Sequence, residues 1–235
     1  MANRFFVLRQ FSLAQGAQLE RLHTFLRDAL VPALQASGKK VLVLEAMAAD
    51  HLPQVALLMG MESMAEWQKI GLAGPELARF IENWNTWETD PAGKDEPPYL
   101  HYSETLLGAT PYSPDLEEAA PGAPAHVFEL RVYHSPTWRQ LRALHARFAG
   151  PEIPIFHRCG VHPVVYLETM AGPNMPNLTY FIPFENLAAR EAAWAKFRDD
   201  PEWVRVRNES IDQHGQIVAQ MSISLWKATA YSPVR

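Results

Sequence analysis

The sequence predicts an α+β protein of two tandem βαββαβ units whose antiparallel sheets pack face to face as an α/β barrel. Three observations predict it. The first is an internal repeat. Ala109-Thr110-Pro111-Tyr112-Ser113-Pro114 returns as Ala228-Thr229-Ala230-Tyr231-Ser232-Pro233, 119 residues on. Leu8-Arg9 returns as Leu130-Arg131, Leu22-His23 as Leu144-His145, Pro32 as Pro154 and Gly38 as Gly160, each 122 residues on. Leu44-Glu45 and Pro53 match Leu167-Glu168 and Pro176 at 123, and Trp67 matches Trp194 at 127. The second observation is that strand and helix periods alternate in the same order in both copies. The third is a strand face of mixed charge and aromatic character that needs a cover.

The repeat predicts a first unit over residues 1–112, a linker over 113–125 and a second unit over 126–235. Pro111, Pro114, Pro121 and Pro124, with Asp115, Glu117 and Glu118, mark the linker. Phe5–Phe11 and Val127–His134 are short and rich in β-branched and aromatic residues, as strands are. Leu19, Leu22, Leu26, Ala29, Leu30 and Ala33 recur at helical spacing, as do Trp138, Leu141, Leu144 and Phe148. Ser135-Pro136 reads as the start of the second of these helices, and Gly38 and Gly160 as their ends. Strands follow over Lys40–Met47 with Gln54–Met61, and Val164–Met170 with Leu178–Phe184. Helical regions cover Ser63–Trp87 and Leu187–His214, the latter broken near Pro201. Tyr99–Leu107 and Gln216–Trp226 close the units. This is the ferredoxin-like order, twice.

Composition narrows the function. The chain has 235 residues, 48% apolar and 20% charged, with a net charge of −5. That balance excludes a disordered chain and argues against nucleic acid as a partner. No apolar run is long enough to insert in a membrane. Met1–Leu8 resembles a signal peptide only until Arg9 and Gln10 interrupt it. One cysteine, Cys159, permits no internal disulfide.

Strand alternation assigns side chains to faces. Phe128, Leu130 and Val132 are expected to face the helices, and Glu129, Arg131 and Tyr133 the opposite side. Tyr166 and Glu168 share a face, as do Gln220, Ser222, Ser224 and Trp226. Arg9 and Glu45 repeat Arg131 and Glu168. The expectation is a pair of ion pairs, Arg131–Glu168 and Arg9–Glu45, inside a barrel with a polar-aromatic lining.

Glu129-Leu130-Arg131-Val132-Tyr133, the loop Gly172-Pro173-Asn174-Met175-Pro176-Asn177-Leu178-Thr179-Tyr180, and Arg190…Trp194…Phe197…Asp200-Pro201-Glu202-Trp203 together resemble the NIPSNAP family. The second unit matches well; the first has Asp50-His51-Leu52-Pro53-Gln54 in the corresponding loop. The resemblance implies the dimeric α/β-barrel superfamily, which includes cofactor-independent and haem-degrading monooxygenases and chlorite dismutases. It implies no settled activity. Eukaryotic members are mitochondrial; with no long transit segment, the expectation here is a bacterial, cytoplasmic protein.

Nine histidines form no metal-binding spacing, so no metal is expected. No cofactor is expected either. Haem, held by His214 as a helix histidine, is the alternative that the superfamily brings. Cys159 lacks an orienting base and reads as inert. The function expected is binding of a small molecule inside the barrel, as a cofactor-independent monooxygenase or isomerase. Arg131 would hold an anionic or enolic oxygen, and Glu168 would orient it or take a proton. Tyr133, Tyr166, Asn174, Asn177, Ser222, Arg9 and Glu45 would line the ligand site. The alternative is a non-catalytic barrel for interaction or scaffolding, and self-association into a homo-oligomer is compatible with either.

Overall fold

A computed structural model describes residues 4–70, 72, 74–89, 97–120 and 122–235. Pro121 of the expected linker lies outside the described residues, as do Met1–Asn3. The first unit runs β1 (Phe5–Ser12), α1 (Ala17–Phe25), a π-helical turn Leu26–Leu30, α2 (Val31–Ala36), β2 (Val41–Ala48), β3 (Gln54–Met61), α3 (Met64–Trp67), α4 (Gly74–Glu88) and β4 (His101–Ala109). The second runs β5 (Val127–His134), α5 (Trp138–Arg147), a π-helical turn Phe148–Glu152, α6 (Ile153–Cys159), β6 (Val165–Ala171), β7 (Asn177–Phe184), α7 (Leu187–Asp199), α8 (Pro201–His214) and β8 (Gln220–Ala228).

The eight strands form one closed barrel in the order β1-β3-β2-β8-β5-β7-β6-β4, every neighbour antiparallel. Each unit supplies four adjacent strands. The seams between units are β2–β8 and β4–β6, and each carries a register shift. Such irregularities sharpen local twist, and closure leaves no free sheet edge.

Local chemistry sets the element ends. Asp200 caps α8 by accepting from the amides of Glu202 and Trp203, with Pro201 in the first turn. Asn186 caps α7 through the Ala189 amide. The cap of α5 is Thr137, which accepts from the Arg139 amide at 3.2 Å. The expected start at Ser135-Pro136 is therefore displaced, because Ser135 is buried and donates to the Ile217 carbonyl at 2.7 Å. Gly160 ends α6 with φ 87, a left-handed conformation that favours glycine. At the tip of the β6–β7 hairpin, a Cβ on Gly172 would stand 2.7 Å from Thr105 Cγ2, so only glycine permits this approach to β4.

Three apolar cores result. One fills the barrel, including Phe6, Leu8, Leu44, Leu58, Phe128, Leu130, Leu167, Phe181 and Trp226. The other two lie outside it, between each unit's sheet and its helices. A fully buried Leu or Phe contributes roughly 1.5–3 kcal/mol.

The faces of β5 are reversed from the sequence expectation. Phe128, Leu130 and Val132 point into the barrel, while Tyr133 packs with the helix-side core. The reason is supply of partners. A narrow barrel closed by eight strands offers little beyond apolar side chains to its centre. The helix layer brings Arg190 and Trp194 to satisfy Glu129, a carboxylate that could not be left alone in a dry core.

Candidate functional site

The structure separates the expected ion pairs. Arg131 does not meet Glu168. It bonds the Glu129 carboxylate on its own strand, donates to the Tyr133 hydroxyl at 2.9 Å, and stacks 3.6 Å from the Trp194 ring centroid. Arg9 does not meet Glu45. Its Nε donates to Glu104 at 2.5 Å. On β5 and β1 the two arginines face their helices, and the carboxylates that meet them there are Glu129 and Glu104.

Glu168 and Glu45 serve a second repeated construction. His145 Nε2 lies 3.0 Å from Glu168 Oε2, and His145 Nδ1 lies 2.7 Å from the Tyr112 hydroxyl. These partners fit the tautomer with Nε2 protonated and Nδ1 accepting from tyrosine. In the first unit His23 Nδ1 meets the Tyr231 hydroxyl at 2.7 Å. Its Nε2 is 3.2 Å from Glu45, inside ion-pair range but off the hydrogen-bond line. Burial lowers both imidazole pKa values, against the pull of the neighbouring glutamate.

Each tyrosine comes from the other unit. Tyr112 follows β4 yet reaches the second unit's His145; Tyr231 follows β8 yet reaches the first unit's His23. The same segments pair along the strands. Thr110 N donates to Tyr166 O and Thr229 N to Val43 O, both at 3.0 Å. Ser113 Oγ accepts from Tyr166 N at 2.9 Å, and Ser232 Oγ from Val43 N at 2.8 Å. The repeated Ala-Thr-x-Tyr-Ser-Pro word is thus an exchanged clasp between the units.

The expected ligand residues scatter over five places. Asn174, Asn177 and Ser222 line a cavity of about 200 Å³ at one end of the barrel, with Thr105, Ser224 and Trp226. The Asn177 side chain is spent internally, on Thr169, Thr179 and the carbonyls of Pro173 and Asn174. Tyr166 is buried in the second unit's helix-side core, where its hydroxyl has no hydrogen-bond partner among the described residues; the same is true of Tyr180. Glu45 belongs to the clasp.

Arg131 and Tyr133 line a cleft of about 420 Å³ between β5, β8 and the helices α7 and α8. Its walls are Trp194, Phe197, Trp203 and Ile211, and four arginines line it: Arg131, Arg147, Arg198 and Arg207. No carboxylate lines it among the described residues. The nearest acids stand behind the wall. Glu129, fully buried, is shared among Arg131, Arg190 and the Trp194 indole N–H at 3.1 Å. Burial opposes charge on Arg131, but Tyr133, Tyr180 and Glu129 outweigh it and hold the guanidinium protonated above its ordinary range. Glu152, also buried, accepts from Arg147 Nε at 2.7 Å. Burial pushes its carboxyl up to about 7 despite Arg147. Sequence reasoning did not single out Arg147, Arg198, Arg207 or Glu152. The available signal was Arg190…Trp194…Trp203, which builds this wall.

The first unit has the corresponding cleft. Arg9 stands where Arg131 stands, and Trp67 donates its indole N–H to Glu104 at 3.2 Å, as Trp194 does to Glu129. This cavity is about 540 Å³, between β1, β4 and the helices α3 and α4.

Barrel, clefts and clasp define a tandem ferredoxin-like α/β-barrel protein. Residues 128–233, within the second unit, match the NIPSNAP family model. No curated protein matches the sequence. Three solved structures share the whole fold. A candidate monooxygenase from Lactobacillus acidophilus aligns with TM-score 0.60 at 9% identity, covering 95% of this chain and 93% of that one. An anthrone oxidase-like protein aligns at 0.56 and 12% identity, covering 97% and 94%. A mutant chlorite dismutase from Candidatus Nitrospira defluvii, in complex with cyanide, aligns at 0.55 and 9% identity, covering 98% and 92%. At these identities the likeness is one of fold. No helix among the described residues is long and apolar enough to cross a membrane.

Proposed function

We propose that the protein binds an anionic small molecule with a flat apolar body, in the second unit's cleft rather than inside the barrel. The observation that carries this reading is an aromatic cleft lined by four arginines, two of them exposed, with no carboxylate in its lining among the described residues. Such a lining favours a carboxylate or enolate head against the arginines and a ring system against Trp194 and Trp203. The barrel interior is mostly filled by its own side chains, which leaves the cleft as the roomier site.

Arg131 keeps the role of holding an anionic or enolic oxygen. That role suits the enolate that a cofactor-independent oxygenation or an isomerisation develops. The fold relatives described as a monooxygenase and as anthrone oxidase-like are consistent with that chemistry without assigning it. Glu168 leaves the proposed site, since it is bonded to His145 in the clasp. Among the described residues no histidine lines this cleft, and the His214 backbone carbonyl accepts from Gln140.

Pyrenecarboxylate is a suitable probe, followed by fluorescence anisotropy at low and high salt. Binding should weaken with salt and fall by about tenfold or more in Arg198→Glu/Arg207→Glu, which corresponds to about 1.4 kcal/mol. Both positions are exposed, so the fold should tolerate the change. Equal affinity in wild type and variant would remove the cleft from consideration.

A further inference from the structure

We propose that the first unit's cleft is a second small-molecule site, and that it takes an uncharged, flat aromatic ligand. This rests on the first unit alone and not on the reading of the second. The cavity of about 540 Å³ falls in the range of ligand pockets, roughly 300–1,000 Å³. Its walls are aromatic: Phe11, Trp67, Trp84 and Tyr102. Large apolar groups stand partly open to solvent around it, with Trp67 39%, Tyr102 40% and Ile81 47% exposed. Apolar surface gathered at the mouth of a cavity favours an occupant that buries it.

Charge balance decides the class of occupant. The charged lining among the described residues is Arg9 and Glu104. Burial would raise the Glu104 pKa, but Arg9 and hydrogen bonds from Arg9, Tyr102 and Trp67 outweigh it and hold the carboxyl below its usual range. The pair is therefore ionic and internally neutral. An anionic ligand would face a carboxylate without a free guanidinium in return, and a cation would compete with Arg9 for Glu104. An uncharged ring system meets neither cost, and gains stacking on indole and phenol faces.

Pyrenemethanol and pyrenecarboxylate share one ring system and differ in charge, so together they read each cleft separately. Two variants test the first cleft in the whole chain. Ile81→Asp places a carboxylate at its wall, and Trp67→Ala removes an aromatic face. Each should weaken pyrenemethanol binding about tenfold or more and leave pyrenecarboxylate binding unchanged. Arg198→Glu/Arg207→Glu should do the reverse. The inference is overturned if wild-type protein fails to bind pyrenemethanol, or if binding survives Ile81→Asp. It is equally overturned if the arginine reversals alone abolish pyrenemethanol binding, which would place that probe in the second cleft. Loss of pyrenecarboxylate binding in the arginine reversals bears only on the second unit, so the two readings fail independently.

Discussion

The two clefts keep one geometry and differ in charge. In both, an arginine on the first strand of the unit faces the helices. In both, a tryptophan indole N–H binds the carboxylate that holds that arginine. In the first unit the acid is Glu104 on the neighbouring strand, and 26% of its side chain is exposed. In the second it is Glu129, two residues from Arg131 on the same strand and fully buried. Val7 occupies the position equivalent to Glu129, and Ile223 the position equivalent to Glu104. Two substitutions thus move the counter-charge from the lining of one cleft to behind the wall of the other. The second unit then adds buried Arg147 and the exposed Arg198 and Arg207 to its lining. A repeated backbone fixes where an arginine stands; the positions around it decide whether its charge is available to a ligand.

The largest expected effect separates the two acids. Glu129→Ala leaves Arg131 and Arg190 without their shared buried partner, and loss of one member of a buried pair costs roughly 3–5 kcal/mol. Glu104→Ala, at a partly open pair, should cost about 1 kcal/mol. Chemical denaturation of both variants checks the ratio. Equal costs would mean that the two clefts are electrostatically alike.

Glu152 gives the second unit a pH dependence of its own. An unfolded glutamate titrates near about 4.3, whereas burial pushes Glu152 up to about 7 in the fold. Between those values the folded chain binds a proton that the unfolded chain releases. The contribution of this group is therefore fully present below about pH 4.3 and is lost as pH rises through about 7. Denaturant titrations from about pH 4 to pH 8 should show wild type losing stability relative to Glu152→Gln, by an amount of order 3 kcal/mol. Parallel stability curves for the two proteins would show that Glu152 titrates normally.

A smaller effect concerns the clasp, where the units should be alike. Tyr112→Phe and Tyr231→Phe each remove one hydrogen bond to histidine. Each should cost about 1 kcal/mol, and thermal melts of the two variants should nearly coincide. A cost confined to one tyrosine would break the symmetry of the exchange.

The architecture was legible because its signals are periodic and repeated. Gln54–Met61 and Val127–His134 are strands over the residues expected, and Pro201 does divide α7 from α8. The site was less legible, for a definable reason. Alternation shows that Glu129, Arg131 and Tyr133 share a face, but it does not say which face the helices cover. Polar residues were assigned to the barrel because helices were expected to prefer Phe128, Leu130 and Val132. The opposite holds because α7 carries Arg190 and Trp194, partners that a strand pattern cannot reveal. The pairing of Glu168 was missed for a related reason. His145 and Tyr112 were each noticed as repeated, yet their meeting depends on a crossing between units that only the closed barrel creates.

The most direct measurement of the central claim is a crystal structure with bromonaphthoate, the bromine located by its anomalous signal. The account expects the bromine in the second unit's cleft, with the carboxylate within hydrogen-bond distance of Arg131, Arg198 or Arg207 and the rings against Trp194 or Trp203. A bromine in the cavity beside Ser222 and Asn174, or in the first cleft beside Arg9 and Glu104, would contradict it.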